Sequence, residues 1–394
     1  MSSTLRVNSI SDAAGANGNA ISLATDGTCT AKVTNQLSHK NVIVNGSMAI
    51  AQRGTSETGI SSQGKFRKAP DRFKFSVDDG TWTASQDSSG PPGIANSYKV
   101  LCTSLDGSID PGNETTLNYK AEGLDLQRFC KGTSSAKKFA LSFYVKSNKT
   151  GNYAVHMRDQ DNTRHVSNLY TISSADTWER KTIVFPADTT GAFGDDNGNS
   201  LQITWFLSVG TNKTSGTMDT SWAAVTDANI AAGHNVNLSD TANNYFNLTG
   251  VQLEIGDYGT TEFEQRSYSD ELQRCLRYCY CSCAKPNDPV AIGAASSSDY
   301  ALFTVHFPVK MRAEPAMESV SGGSGVEQWE LMPPGNSSAY FSALNGSGRA
   351  SLTHFNVRAN ISSNFTAKQA YFLNNANTGG TDANPIGIIF DAEL

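Results

Sequence analysis

Along most of the chain, apolar side chains recur at every second position. Phe139, Leu141, Phe143 and Val145 alternate with Ala140, Ser142, Tyr144 and Lys146, so an extended segment there has one greasy face and one wet face. The turn SNKTGN follows, then an apolar run from Tyr153 to Met157, then RDQDNTR, whose Asp161-Asn162 pair favours another reversal. Further strands are predicted over Thr182–Phe185 and through Leu201, Ile203, Trp205, Leu207 and Val209. The second alternation is incompatible with a helix and points Trp205 into a core. Val42, Val44, Phe73 and Phe75 begin the same pattern nearer the N-terminus. Around residue 250 the parity changes: Phe246 and Leu248 precede Gly250, and Val251, Leu253 and Ile255 carry the pattern beyond it. A β-bulge at the glycine would keep all five inward.

One stretch departs from period two. Ser267-x-x-Asp270 resembles a capping box, and Leu272, Cys275, Leu276 and Cys279 follow at helical spacing, with Arg274 and Arg277 off the stripe. This predicts a short helix in which Cys275 and Cys279 are small core residues. Lys285-Pro286-Asn287-Asp288-Pro289 then breaks the chain and marks a domain boundary. Strands resume over Tyr300–Val309, with Leu302, Thr304 and His306 on one face, then through Thr353, Phe355, Val357, Ala359 and Ile361, and finally over Ile386–Phe390. Residues 1–40 differ, because Leu5, Val7 and Ile10 alternate only loosely and AAGANGNA separates them from Ile21 and Leu23. That segment has no core of its own, so order there must come from docking to a partner or to copies of itself. Leu5, Val7 and Ile10 are the candidate attachment positions.

The prediction is an all-β protein of two sandwiches, since 394 residues exceed what one core usually organises. Composition agrees: charged residues reach only 17%, and Ser, Thr, Asn and Gly replace them, which suits short strands and tight turns. A formal charge of −6 supplies no electrostatic footprint for nucleic acid or an anionic membrane surface. No apolar run is long enough for a membrane span, and MSSTLRVNSI lacks the pattern of a signal peptide, so synthesis in a cytoplasm is expected. The seven cysteines are an odd number over a long chain, which predicts free thiols. Cys275, Cys279, Cys281 and Cys283 form C-x3-C-x-C-x-C, which does not match the C-x2-C pairs of zinc knuckles.

The acidic residues do not suggest catalysis. Asp78-Asp79, Asp159/Asp161 and Asp195-Asp196 lie beside Gly or Asn in turns, where carboxylates are solvated or bonded to backbone. Asp195-x-Asn197-x-Asn199 starts like a calcium loop, but Ser200 and Phe206 stand where Gly and Glu are needed. None of the six histidines lies in a metal motif, and no nucleophile elbow, Walker loop or dinucleotide fingerprint occurs. The expectation is therefore a protein that is not an enzyme and holds no cofactor or metal. Sugars are gripped by aromatic faces in loops. Trp82 in DDGTWTAS, Trp222 in DTSWAAVT, and Trp329 and Tyr340 beside SGGSG and PPGNSS are the glycan-binding candidates.

Four stretches, NVIVNGSMAIAQRGTS from 41, DRFKF from 71, FALSFYVKSNKTGNYAVHMRDQDNTRHV from 139 and LTGVQLEIGDYGTTEFEQRSYSDELQRCLRYCY from 248, together resemble phage tail-fibre or tail-spike adhesins. The similarity continues through HFPVKMRAEPAM and the terminal IIFDAEL, and STLRVNSISDAAG looks like the N-terminal tethers of marine phage fibres. The resemblance implies a virion attachment segment over 1–40, a jelly roll like that of carbohydrate-binding modules over 41–283, and a distal receptor-binding β-sandwich over 284–394. It also implies a homotrimer in the virion tail, bound to other tail proteins through its N-terminus and to a host surface glycan or lipopolysaccharide distally. A purely architectural virion component, touching only other virion proteins, shares the same signature. Relatives tend to read CxRYYY after the helix, where Cys279, Cys281 and Cys283 interrupt the aromatics here. Such sandwiches often hold calcium between their opening and closing strands, but Asn45-Gly46-Ser47-Met48 lacks the acidic side chain that Val251-Gln252-Leu253-Glu254 would need opposite it.

Overall fold

A computed structural model describes residues 9–11, 19–23, 29–31, 39–61, 64–66, 69–256, 261–282, 289–320, 329–332, 339–341, 344–360, 366, 368–375 and 387–394. The chain divides into two compact units, Met1–Lys40 and Asn41–Leu394. In the first, strands β1 (Ser9–Ser11), β2 (Asn19–Leu23) and β3 (Cys29–Ala31) form an antiparallel sheet. Ile10 lies in β1, opposite Ile21. Leu5 and Val7 fall outside the described residues.

The second unit is all-β apart from a single helical turn at Gly123–Leu126 and one short helix further on. Its first part contains β4 (Ser56–Ser61), β5 (Gly64–Phe66), β6 (Phe73–Val77), β7 (Thr81–Asp87), β8 (Ser97–Ser104), β9 (Glu114–Glu122), β10 (Phe139–Ser147), β11 (Gly151–Asp159), β12 (Arg164–Ile172), β13 (Glu179–Phe185), β14 (Asn199–Val209), β15 (Ala223–Ala224) and β16 (Tyr245–Ile255). They form a six-stranded sheet in the order β13-β10-β16-β8-β7-β4 and a seven-stranded sheet in the order β15-β12-β11-β14-β9-β6-β5. The predicted alternation packs the two sheets together: Phe139, Leu141, Phe143 and Val145 from one meet Leu201, Ile203, Trp205 and Leu207 from the other in a single core. Trp205 is fully buried and lies edge-on to Phe143, at 5.7 Å between centroids. The bulge is present. Gly250 has φ +58, the register slips between Ser142 and Tyr144, and Phe246, Leu248, Val251 and Leu253 are all fully buried, with Ile255 packed against them. A side chain at 250 would meet both Ile94 and Tyr144 at 2.8 Å.

The helix spans Tyr268–Leu276 and starts as predicted, with the Ser267 hydroxyl accepting from the Asp270 amide at 3.2 Å. Leu272 and Cys275 pack on Val44 and Ile50. Cys279 is buried but lies beyond the helix, in β17 (Cys279–Cys281).

The remaining strands are β18 (Pro289–Ala295), β19 (Tyr300–His306), β20 (Ala316–Val320), β21 (Trp329–Met332), β22 (Ala339–Phe341), β23 (Leu344–Ala350), β24 (His354–Asn360), β25 (Ala370–Asn375) and β26 (Gly387–Asp391). They make a seven-stranded sheet, β22-β21-β25-β18-β19-β24-β23, and a three-stranded sheet, β17-β26-β20, around a second core that includes Phe303, Trp329, Val357, Leu373 and Phe390. The expected break at 283/284 falls outside the described residues, and β17, which precedes it, pairs with the last strand. The expectation of free thiols holds for Cys102, Cys130, Cys275 and Cys279, whereas Cys281 is disulfide-bonded.

The last residues reach back to the first core. Arg53 lies near Asp391 (3.2 Å), Glu393 (3.5 Å) and Asp71 (3.6 Å). Arg72 pairs with Glu393, stacks 3.4 Å from the Tyr278 ring centroid and donates to the Lys120 carbonyl at 2.7 Å. Arg312 donates to the carbonyls of Asn197, Ala392 and Glu393.

Candidate functional site

Strand register turns isolated polar residues into a surface. In β6, β9, β14 and β11 the odd-numbered positions fill the core, and in β12 the even-numbered positions Val166, Tyr170 and Ile172 do, so the intervening residues face outward. Lys74, Asn118, Thr204, His156 and Ser167 follow one another across five strands. A second row runs Lys120, Gln202, Arg158 and His165. Planar amide, imidazole and guanidinium groups therefore share one sheet face.

These groups hold each other in place. Thr204 Oγ1 donates to Asn118 Oδ1 at 2.8 Å, Gln202 Nε2 donates to the same oxygen at 3.1 Å, and Asn118 Nδ2 donates to Thr116 Oγ1 at 2.9 Å. The side of the face toward β15 is covered by residues 211–231. Met218, Val225, Ile230 and Ala231 from that strap pack on Ala154, Leu169 and Phe206. Asp219 anchors it, with Oδ2 at 3.0 Å from His165 Nε2 and its carbonyl accepting from the Ser167 amide at 2.8 Å. Toward β6 the face ends in a small depression lined by Arg72, Lys74, Asn118, Lys120, Glu393 and Leu394.

Burial shapes the electrostatics. Desolvation, aided by His165 and Arg158, pushes the His156 imidazole down to about 3, so it is neutral at ordinary pH. His165 is also lowered by burial, against the pull of Asp219. His156 Nε2, His165 Nδ1, Ser167 Oγ and Arg158 Nε are buried without a hydrogen-bond partner. Such atoms are costly unless something polar reaches them. Gln202, Arg158, Lys120 and Lys74 are half-buried and offer the approach.

The aromatic candidates lie elsewhere. Trp82 is fully buried in the first core and donates Nε1–H to the Asp79 carbonyl at 2.8 Å. Trp222 is 8% exposed, joins the same core and donates to the Pro186 carbonyl. Trp329 is fully buried in the second core. With their ring faces covered by side chains, these three are not available as stacking platforms. Tyr340 stands in β22 opposite Glu330, and its side chain lies outside those described. Of the five tryptophans, Trp178 is the one left half-exposed. It lies at the start of β13 on the outer face of the six-stranded sheet, with Lys146 Nζ 5.1 Å from its ring and half-buried Tyr144 and Tyr245 on the same face. It escaped notice because it stands in the loop DTWER, outside any alternating run.

The turn carboxylates are occupied by local donors. Asp78 accepts from the Glu114 amide, Asp79 from Asn113, Asp161 from the Gly194 amide and Asp196 from the Gly198 amide. Asn45 takes φ +62 and spends its side chain on the backbone of Ile50 and Asp71. Among the described residues no three His, Cys, Asp or Glu side chains gather around a point that would hold a metal.

The chain matches no protein-family model and no curated protein. Solved structures similar to it include the enzymatically active domain of tailspike protein 4 of bacteriophage CBA120, with TM-score 0.29 and 12% identity over 55% of this chain and 21% of that one. The CBM22-1–GH10 modules of Clostridium thermocellum endo-1,4-β-D-xylanase 10B give TM-score 0.28 and 10% identity over 58% of this chain and 30% of that one. TmCBM61 in complex with β-1,4-galactotriose gives TM-score 0.27 and 8% identity over 55% of this chain and 99% of that one. The chain thus spans under a third of the first two.

Proposed function

We propose that this protein is a non-enzymatic adhesion subunit, a virion tail fibre that binds a host surface glycan through the outer face of the jelly roll's seven-stranded sheet, β15-β12-β11-β14-β9-β6-β5. The observation that carries the glycan reading is the double row of planar polar groups across β6, β9, β14 and β11, of which Lys74, Lys120, Gln202 and Arg158 stay half-exposed beside the strap. Sugar hydroxyls donate and accept at short range, which is what amide, imidazole and guanidinium edges offer. The virion setting rests on the ordered resemblance to tail-fibre adhesins across residues 41–394. Locally bonded turn carboxylates support a binding role over hydrolysis.

A glycan-array measurement on the full chain tests this. Arg158→Ala and Gln202→Ala are expected to weaken glycan retention at least tenfold, while Trp178→Ala, on the opposite sheet, leaves it unchanged. Retention lost only with Trp178→Ala moves the site to the six-stranded sheet. Absence of glycan retention, or reducing sugar released from host envelope, sinks the reading.

The same reading takes the assembly to be a homotrimer. Met332, Phe372 and Ile292 are neighbours across β21, β25 and β18 and are 40%, 38% and 64% exposed, an apolar stripe of the kind that copies of a chain cover. Light scattering is expected to give three times the chain mass, and Phe372→Glu to lower it; a monomeric mass for the parent chain contradicts the trimer.

A further inference from the structure

Deep in the first core stands a lysine that the glycan site does not use. Lys131 lies between Cys130, at φ +49, and Gly132, at φ +81, in a tight loop where a side chain at 132 would meet the Ala192 amide at 2.4 Å. The loop drives the lysine stem inward. The Lys131 and Asp159 side chains are both 0% exposed, with Nζ 2.5 Å from Asp159 Oδ2. Asp188, 4% exposed, places Oδ2 3.0 Å from the same nitrogen. The rings of Phe193 and Trp222 lie 5.2 and 5.1 Å away and shelter it from water.

Asp159 is held as an acyl group would be held for attack. Its Oδ1 accepts from the backbone amides of Asp161 and Asn162, both at 3.0 Å, and Asn162 Nδ2 reaches Oδ2 at 2.9 Å. Two backbone N–H groups on one carboxyl oxygen are the arrangement that stabilises negative charge developing there. Asp188 is held separately: Arg164 Nε donates to it at 2.7 Å and the Thr190 amide at 3.0 Å. Burial pushes the Asp188 carboxyl up, but Arg164, Lys131 and the Thr190 amide outweigh it and keep it below the usual carboxylate range.

We propose that Lys131 Nζ and Asp159 Cγ condense to an intramolecular amide, with Asp188 as the proton carrier. The ammonium of Lys131 passes one proton to Asp159 Oδ2, giving a neutral amine and a neutral carboxyl group. The Nζ lone pair then forms a bond to Cγ, and the carbonyl electron pair moves onto Oδ1, under the Asp161 and Asn162 amides. Asp188 takes a proton from Nζ and delivers it to the Oδ2 hydroxyl. The Cγ–Oδ2 bond breaks, one water leaves, and Nζ keeps one hydrogen. Atoms and charge balance without any oxidant or external reactant.

Two physical effects favour the product. Two ions taken out of water carry a desolvation penalty that condensation removes. Holding amine and acyl carbon in contact replaces a bimolecular step with an intramolecular one of very high effective concentration. The bond would tie the loop before β10 to the end of β11, locking the jelly roll at one end.

The test is the intact mass of the full chain under denaturing conditions, followed by a tryptic map. The expected mass is one water below the sequence mass, with a branched peptide joining Lys131 and Asp159 and no cleavage after Lys131. Lys131→Arg is expected to restore the full sequence mass. Asp188→Asn, which keeps side-chain volume, is expected to leave a large uncondensed fraction and so serves if the arginine variant does not fold. A parent chain at full sequence mass and cut after Lys131 shows an ion pair only and overturns the proposal, as does a water loss that maps to another aspartate.

Discussion

Inside the jelly roll, Trp205 is fully buried and met by the rings of Phe143 and Phe73. At the seam beneath the C-terminal tail, Arg53 and Arg72 are as deeply buried, yet they are met by Asp71, Asp391 and Glu393. The two regions are equally dry but held by different forces. Apolar packing is non-directional and stabilises in proportion to area, whereas buried ions chiefly penalise any arrangement that separates them. The first therefore sets how stable the molecule is, and the second sets how its parts are registered.

Deleting a core ring should have the largest effect. Trp205→Ala is expected to cost about 3–5 kcal/mol in denaturant unfolding, with exchange protection lost in β9, β11 and β14 of its own sheet and in β10 and β16 of the facing sheet together. A loss confined to one sheet would mean that the two sheets do not share a core. Glu393→Ala should cost somewhat less, about 3 kcal/mol, because Arg72 keeps a backbone carbonyl and Arg53 keeps two carboxylates. Its signature is local: hydrogen exchange should quicken in β17 and β26 and stay slow in β11 and β14. Equal acceleration everywhere would erase the distinction between core and seam.

Acid should produce the smallest and most gradual change. Burial holds His156 at about 3 and His234 at about 4, and His234 is further fixed as a neutral ring that accepts from the Ala154 amide and donates to the Val236 carbonyl. Unfolded imidazoles take up a proton near pH 6.5, so below that pH the unfolded chain binds more protons than the folded one. Stability from these two groups is complete above about pH 6.5 and falls as the pH drops toward 4 and then 3. Asp71, raised by burial, works in the opposite direction at lower pH. The thermal midpoint should fall between pH 6.5 and 4, and His156→Gln should flatten part of that slope. An unchanged slope would place the titrating groups elsewhere.

The fold was largely legible because a period of two survives wherever one face is buried. Phe139 to Val145, Leu201 to Val209 and the parity change at Gly250 all report local geometry that neighbouring residues share. The candidate site was not legible, because Asn118, His156, Arg158, Gln202 and Thr204 come from three separate strands and meet only through register. Each looks like an ordinary wet-face residue in its own run. The tryptophans failed for a related reason: Trp82 stands on the core face of β7 rather than in a loop, and loop position does not tell whether a ring folds back, as Trp222 does, or stays out, as Trp178 does. Asp159 read as a turn carboxylate, and it does bind turn amides, but nothing near it in sequence announces Lys131.

The pairing of β17 with β26 bears on the order in which the molecule can be made. All strands of the jelly roll have left the ribosome by Ile255, so that core is free to close while synthesis continues. Cys279–Cys281 must then wait, its edge open, until Gly387–Asp391 emerges. Closing so long a loop is slow, which makes that junction the last part of the nascent chain to be secured and the first place where two growing chains could exchange strands.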